Sequence, residues 1–198
     1  MIRKERMIKM SKIEFDKPGN FLYPLPAVMV SCEDGSGNSN IITIAWTGTV
    51  CSDPPMVYIS VRKERHSYPM LKETGEFVIN LPSEDLAYAL DKAGCTTGAK
   101  IDKFKELNLT PAKSNKVSAP SIAEAPVCIE CKVTQVLELG THDMFLAEVV
   151  SVSVDEKYLD EKGVFRMDQC NLVAYEHGAY RKMSDTIGTF GYSVRKKP

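Results

Sequence analysis

The 198-residue chain has no apolar run approaching the roughly 18 residues of a membrane-spanning helix, a net charge of only −1, three histidines and a single tryptophan. The first absence argues against a helical membrane span. The charge balance removes any general attraction to nucleic acid or an acidic bilayer, so a basic site has to be local. There is no GxSxG elbow, no HExxH and no phosphate-binding GxxxxGK[ST] run. Gly35-Ser-Gly37 lacks the third glycine of a dinucleotide fingerprint and lies between strand-like segments, where it reads as a hairpin turn. The opening MIRKERMIKM is basic but lacks the apolar core of a secretory signal, so the expected location is the cytoplasm. Six scattered cysteines are then expected to be free thiols. Cys128 and Cys131 have CxxC spacing, but no second pair exists, and residues three apart on a strand face opposite ways. Structural thiols and no metal are expected there.

What remains is the composition of an ordinary globular protein, 43% hydrophobic and 26% charged. A polar leader over 1–19 and one domain over 20–198 suit this length. Strands are predicted over Ala27–Cys32, Ile41–Trp46, Met56–Val61, Phe77–Leu81, Val127–Leu139, Phe145–Val154 and Leu172–Tyr175. Short helices are predicted from Ser67 to Thr74 before Gly75, from a Ser83 cap to about Ala93, and over Ile101–Leu107. Antiparallel hairpins with a few short helices favour a mainly β, closed barrel over a doubly wound parallel sheet. In Ile41–Trp46 both alternating faces are nearly apolar, so both need cover.

The densest chemistry runs from Asn40 to Leu71, NIITIAWTGTVCSDPPMVYISVRKERHSYPML. Thr43, Trp46, Thr47, Gly48 and Thr49 offer hydroxyls, backbone amides and one large aromatic surface. Arg62, Lys63, Arg65 and His66 supply positive charge one strand later, just before a helix start at Ser67. Further along stand EFVINLPSEDLA at 76–87, AGCTTGAKIDKFKELNLTP at 93–111, GTHDMFLAEVVSV at 140–152 and LVAYEHGAYRKM at 172–183. In these segments, taken in order, the chain resembles the flavin reductase-like, FMN-binding split-barrel family, most closely its flavoredoxin branch.

The resemblance implies a split β-barrel of antiparallel strands with short flanking helices, and a bound FMN, favoured over a folded-back FAD. It implies that Thr43, Ala45, Trp46, Thr47, Gly48, Thr49 and Val50 form the cofactor strand and loop. Arg62, Lys63, Arg65, His66 and Ser67 would hold the phosphate, and Cys95, Thr96, Thr97 and Lys100 a loop approaching the cofactor. From the residues alone, RKER reads first as the solvated end of a strand, an order the resemblance reverses for part of the cluster, and Trp46 as a ring partner or as a core or interface anchor. His142 lies near the position where related reductases carry Gly-Asp-His close to the nicotinamide. Here Thr141 replaces the aspartate, which leaves a contact with NADH or NADPH and an ordinary turn histidine as alternatives. Tyr175, His177 and Tyr180 read as packing over the site or at a subunit interface.

The functional expectation is a flavoprotein oxidoreductase that passes electrons through its flavin, as a flavoredoxin-type carrier or an NAD(P)H-dependent flavin reductase. No side chain is singled out as catalytic, because the cofactor carries the redox chemistry. The alternative is a flavin-binding module without turnover. A redox partner protein and a homodimer are also expected, the latter partly because Ile41–Trp46 needs cover on its outer face. Neither nucleic acid nor membrane is an expected partner.

Overall fold

A computed structural model describes residues 12–195; the first eleven residues of the expected leader lie outside the described residues. In chain order the strands and helices are β1 (Leu25–Pro26), β2 (Val28–Glu33), β3 (Ser39–Ile44), β4 (Thr47–Ser52), β5 (Pro55–Arg62), α1 (Ser67–Thr74) and β6 (Glu76–Leu81). Then come α2 (Ala87–Cys95), α3 (Lys103–Glu106), β7 (Pro111–Ala112), β8 (Ser121–Ile122), β9 (Val127–Glu138), β10 (His142–Val154), β11 (Val173–Glu176) and β12 (Ala179–Lys182). Seven strands form one antiparallel sheet in the order β3-β2-β6-β9-β10-β5-β4, while β1, β11 and β12 make a smaller sheet beside it. The two end strands of the large sheet, β3 and β4, are consecutive in the chain and joined only by Ala45 and Trp46. The sheet must therefore curl until its ends meet. The Ser60 amide donates to the Trp46 carbonyl at 2.9 Å across that corner.

Strand alternation sorts the apolar residues into two cores. Val28, Val30, Ile42, Ile44, Val57, Ile59, Val61, Phe77, Ile79 and Phe145 fill the barrel, with Leu71 of α1 packed among them. Met29, Ile41, Val78 and Cys128 face outward beneath Leu90 and Ala93 of α2 and Phe104 of α3. The two-sided burial expected of the Ile41 strand is thus present, but its cover belongs to the same chain. The argument from that strand to a second subunit does not hold. Cys128 and Cys131 fall in different cores, on opposite sides of β9, and burial pushes both thiols up, Cys131 to about 12. The described residues contain no group of side chains arranged to hold a metal, and no helix long and apolar enough to cross a membrane.

Several local expectations shift. The strand predicted to reach Trp46 stops at Ile44. His142 and Asp143 open β10 instead of closing a turn. Neither Ser67 nor Ser83 caps its helix: the Ser67 hydroxyl accepts from the Asn40 side-chain amide at 2.8 Å, and Ser83 is followed by a 3-10 turn before α2 begins. Gly75, at φ 65°, ends α1 as expected, its amide bonded to the Leu71 carbonyl at 3.1 Å.

Buried polar groups then tie the loops to the barrel. Asn80 of β6, fully buried, donates to the Met29 carbonyl and the Ser31 hydroxyl, each at 3.0 Å, and accepts from the Ile122 amide at 2.8 Å. The buried Glu130 carboxylate accepts from the Asn115 and Lys116 amides, at 2.9 Å and 2.6 Å. Removing such a side chain strands its partners away from water. Asn80→Ala should lower unfolding stability by about 2–4 kcal/mol. Urea denaturation checks this, and a loss below about 1 kcal/mol would show that the network contributes little.

Candidate functional site

The corner that closes the barrel also opens a cleft. One compartment, of about 390 Å³, is walled by Thr43, Ile44, Ala45 and Trp46 from the end of β3, Arg62 from β5, Arg65, Gly94 and Cys95 from the end of α2, His142 from β10, and Tyr175 and Tyr180 from the small sheet. It runs into a second compartment of about 370 Å³, the two sharing Ile42, Arg62, Arg65 and Gly94. The second is lined also by Asn40, Glu64, His66, Ser67, Thr96, Thr97, Gly98 and Lys103.

Sheet register explains why distant residues meet. His142 stands directly opposite Arg62, and Met144 opposite Ser60. Val57, Ile59 and Val61 point into the barrel, so Tyr58, Ser60 and Arg62 point out. Trp46 stacks on His142 with ring centroids 6.4 Å apart and planes at 16°, and Tyr175 lies tilted at 55° to the Trp46 ring, also 6.4 Å away. The His142 Nδ1 lies 2.8 Å from the Thr141 hydroxyl. Burial, followed by the charge of Arg62, lowers the His142 pKa below the ordinary histidine value, which favours a neutral imidazole at neutral pH.

The second compartment is cationic. Arg65 and His66 precede α1, whose N-terminal amides at Ser67 carry the positive end of the helix dipole. Lys103 is only 3% exposed and forms no ion pair among the described residues. Its ammonium donates to the Ile41 carbonyl at 2.7 Å and the Ala93 carbonyl at 2.6 Å, joining α3 to β3 and to the end of α2. Burial first, and the nearby Arg65 charge second, lower its pKa to about 8. Two glycines keep the walls thin. A Cβ at Gly98 would lie 2.3 Å from the Asn40 Oδ1 and 2.8 Å from the His66 ring, and one at Gly94 would lie 3.1 Å from the Thr43 Cβ. Only glycine lets the 94–98 segment approach β3 this closely.

Of the residues expected from the sequence, Thr43, Ala45, Trp46, Arg62, Arg65, His66, Ser67, Cys95, Thr96, Thr97 and His142 converge on the two compartments. Thr47, Gly48, Thr49, Val50, Lys63 and Lys100 do not. The chain turns at Trp46, so β4 leads away: the Thr47 hydroxyl donates to the Tyr58 carbonyl at 2.6 Å, Gly48 lies against the Tyr58 ring, and Thr49 and Val50 are exposed. Lys63 reaches the fully buried Asp143, its Nζ 3.3 Å from Oδ1, while the Tyr68 hydroxyl donates to Oδ2 at 2.6 Å. That hydroxyl and the lysine hold the Asp143 pKa below the usual carboxylate value despite burial, and the same bond pushes Tyr68 up to about 12. Lys100 faces a separate groove with Asp34 and Glu73. The Thr43 hydroxyl is also committed, to the Leu90 carbonyl.

Asn40, Ser60, Gly94, Gly98 and Lys103 are the residues that sequence reasoning missed. The alternation of Val57, Ile59 and Val61 marks Ser60 as outward-facing, and a polar residue at the start of an apolar strand marks Asn40. Nothing local distinguishes Lys103 from a solvated helix lysine.

Comparison with known proteins places this geometry among relatives. The profile of the flavin reductase like domain matches residues 21–184. The solved flavoredoxin of Desulfovibrio vulgaris (Miyazaki F) superposes with a TM-score of 0.85 at 30% identity, over 93% of this chain and 100% of that one. The flavoredoxin of Methanosarcina acetivorans shares the fold, with a TM-score of 0.81 at 24% identity over 91% and 97% of the two chains. By sequence, an uncharacterised protein of Archaeoglobus fulgidus is 32% identical over 142 residues, which are 72% of this chain and 79% of that protein. The reductase component of the 4-nitrophenol/4-nitrocatechol monooxygenase of Rhodococcus opacus is 34% identical over 108 residues, 54% of this chain and 55% of its own.

The buried lysine gives a pH signature. Because its folded pKa of about 8 lies below the ordinary lysine value of 10.5, the unfolded chain holds more protons in between. Lys103 therefore makes stability rise as pH climbs through that window. Buried Cys32 and Cys131, raised to about 11 and 12, act in the opposite sense there. The clean quantity is the stability of the wild type minus that of Lys103→Met, without added ligand. This difference should climb from pH 8 to pH 10 with a slope of up to about 1.4 kcal/mol per pH unit. A flat difference by urea denaturation would show that Lys103 is not desolvated.

Proposed function

The chain belongs to the flavin reductase-like domain family and has its split-barrel fold, and from that premise we propose that it binds FMN in the two-compartment cleft and passes electrons through it. The observation that carries the proposal is the buried Lys103, which has no ion-pair partner among the described residues, beside Arg65, His66, Thr96 and Thr97 in a compartment whose lining holds one carboxylate, that of the exposed Glu64. With Arg62, Arg65 and Lys103 set against that one carboxylate, the compartment keeps a net positive charge, which suits a phosphate. The adjoining compartment, with Trp46, Ile44, Ala45 and Tyr175, suits a flat apolar ring system. The cofactor supplies the hydride and electron chemistry when bound.

The chain's own contributions follow from position. Arg65, Lys103 and the Ser67 amide fix the anionic end by charge and by backbone N–H groups. Gly94 and Gly98 allow the α2 loop to lie close over β3. Trp46, braced by His142, and Tyr175 exclude water from the apolar half and set its width. Arg62, at the junction of the compartments, places positive charge where electron density added to a ring would be stabilised. His142, neutral and on the cleft wall, is in reach of a nicotinamide that docks directly on the ring compartment, since the chain carries no separate dinucleotide fingerprint. These assignments make the protein an oxidoreductase of the flavoredoxin or NAD(P)H-dependent flavin reductase type, with FMN preferred to FAD and a soluble redox partner as donor or acceptor. Two copies of the chain form the working unit.

Protein purified without added cofactor should be yellow, and heat-released cofactor should run as FMN by chromatography. Bleaching under anaerobic NADH or NADPH marks the reductase; persistence of the oxidised spectrum with both, and bleaching by a low-potential protein donor, marks the carrier. Colourless protein that takes up no FMN sinks the proposal. Arg65→Ala should weaken FMN at least tenfold, about 1.4 kcal/mol, while barely changing riboflavin binding. Equal losses for both ligands in a fluorescence titration would move the phosphate elsewhere.

A further inference from the structure

The inward-facing row of β10 is broken at its first member. Asp143, Phe145 and Ala147 stand opposite Val61, Ile59 and Val57 of β5, and every residue of this set except Asp143 is apolar. Asp143 is fully buried, and its Oδ1 is the one buried side-chain nitrogen or oxygen among the described residues that makes no hydrogen bond. The Lys63 Nζ stands 3.3 Å from that oxygen, out of line for a hydrogen bond, on a side chain that keeps half its surface in solvent. Burying a carboxylate this incompletely paired costs free energy that a valine at the same place would not. The packing of the barrel therefore does not account for the aspartate.

Its contacts do. The chain leaves β5 at Arg62, opposite His142, and reaches α1 through two successive turns, the Arg65 amide donating to the Arg62 carbonyl at 3.0 Å and the Tyr68 amide to the Arg65 carbonyl at 2.9 Å. These bonds are internal to the segment and do not fix it to the barrel. The four residues Glu64, Arg65, His66 and Ser67 all line the cationic compartment, and the residues on either side of them, Lys63 and Tyr68, do not. Both flanking side chains reach Asp143 instead: Lys63 faces Oδ1, and the Tyr68 hydroxyl donates to Oδ2 at 2.6 Å. The Tyr68 ring also meets Phe145 edge-on, with centroids 5.8 Å apart. Asp143 itself lines neither compartment.

We infer that Asp143 is a positioning residue for the anion compartment: by tying both ends of the 64–67 stretch to one buried carboxylate, it holds Arg65 and the Ser67 amide in the arrangement that receives the FMN phosphate. The inference rests on the phosphate reading of that compartment proposed above. Donors that are already in place bind an anion without the cost of ordering them first. Loss of the ties should therefore weaken the phosphate-dependent part of the affinity and spare the part that comes from the ring.

The test measures Kd for FMN and for riboflavin, which lacks the phosphate, by fluorescence titration of the full chain. Tyr68→Phe keeps the ring and its contact with Phe145 and removes one tie, and Asp143→Ala removes both. FMN should bind about fivefold more weakly to Tyr68→Phe and about tenfold more weakly to Asp143→Ala, with riboflavin changed by less than about twofold. Equal losses for the two ligands would mean that the carboxylate serves only the fold, and they overturn the inference. So does a Tyr68→Phe variant that keeps the full affinity for FMN, which decides the matter even where Asp143→Ala does not fold. A wild type that binds FMN no more tightly than riboflavin overturns the phosphate reading itself. A wild type that prefers FMN, with the preference undiminished in Tyr68→Phe, leaves that reading standing and removes the role of Asp143.

Discussion

Strands that follow one another in the chain, β3 and β4, occupy opposite ends of the seven-stranded sheet, and the two residues between them oblige the sheet to close. Everything that positions the cleft descends from this constraint. At the closure the ladder is interrupted, so Ala45 and Trp46 leave the regular sheet and Trp46 turns its ring toward β10, where His142 meets it. The same curl brings the end of β5, with Arg62, alongside the end of β3, and leaves a gap that α1 and the 94–98 segment border. A flat sheet carrying the same side chains would spread these groups along two remote edges.

Within that frame, charge is distributed unevenly. Lys63 is drawn out of the cleft by Asp143, which is itself held by Tyr68. Arg62 and Glu64 form an exposed pair 3.5 Å apart, of a kind that contributes little. Arg65 and Lys103, with Arg62 at the junction beside Glu64, are the charged side chains that line the inner compartment. Lys103 is doubly employed: its two bonds to main-chain carbonyls hold the end of α2 against β3, and its desolvated charge gives that compartment its sign. Structure and recognition are therefore coupled at one side chain, and Gly98 and Asn40 are the packing that permits it.

How much of this was legible in the sequence depends on the range of the interaction involved. The strands read at Ala27–Cys32 and Ile41–Trp46, observed at Val28–Glu33 and Ser39–Ile44, the glycine stop at Gly75 and the opposite facing of Cys128 and Cys131 are local consequences of backbone period, legible to within a residue or two at the ends. Arg65, His66 and Trp46, named from residue type, order and the family resemblance together, line the cleft. The errors arise where tertiary contact overrides local pattern. Ser67 looks like a cap, but Asn40, from a distant strand, takes its hydroxyl. Thr47–Val50 continue a strand-like run, yet the corner at Trp46 sends them away. Lys103 has the sequence context of a solvated helix face and is buried only because α3 docks on β3. The apolar outer face of β3 did demand cover, but periodicity cannot say whether a subunit or a helix provides it.

The strand order also dictates how the chain can assemble. Three pairings, β2 with β3, β4 with β5, and β9 with β10, join sequence neighbours and can form as hairpins in microseconds. The remaining three, β2 with β6, β6 with β9, and β10 with β5, each require the closing of a long loop. Two of those three use β6, the single strand in the large sheet with no hairpin of its own. Folding thus turns on two long-range events: the seating of β6 between β2 and β9, which joins those two hairpins, and the pairing of β5 with β10, which brings in the third.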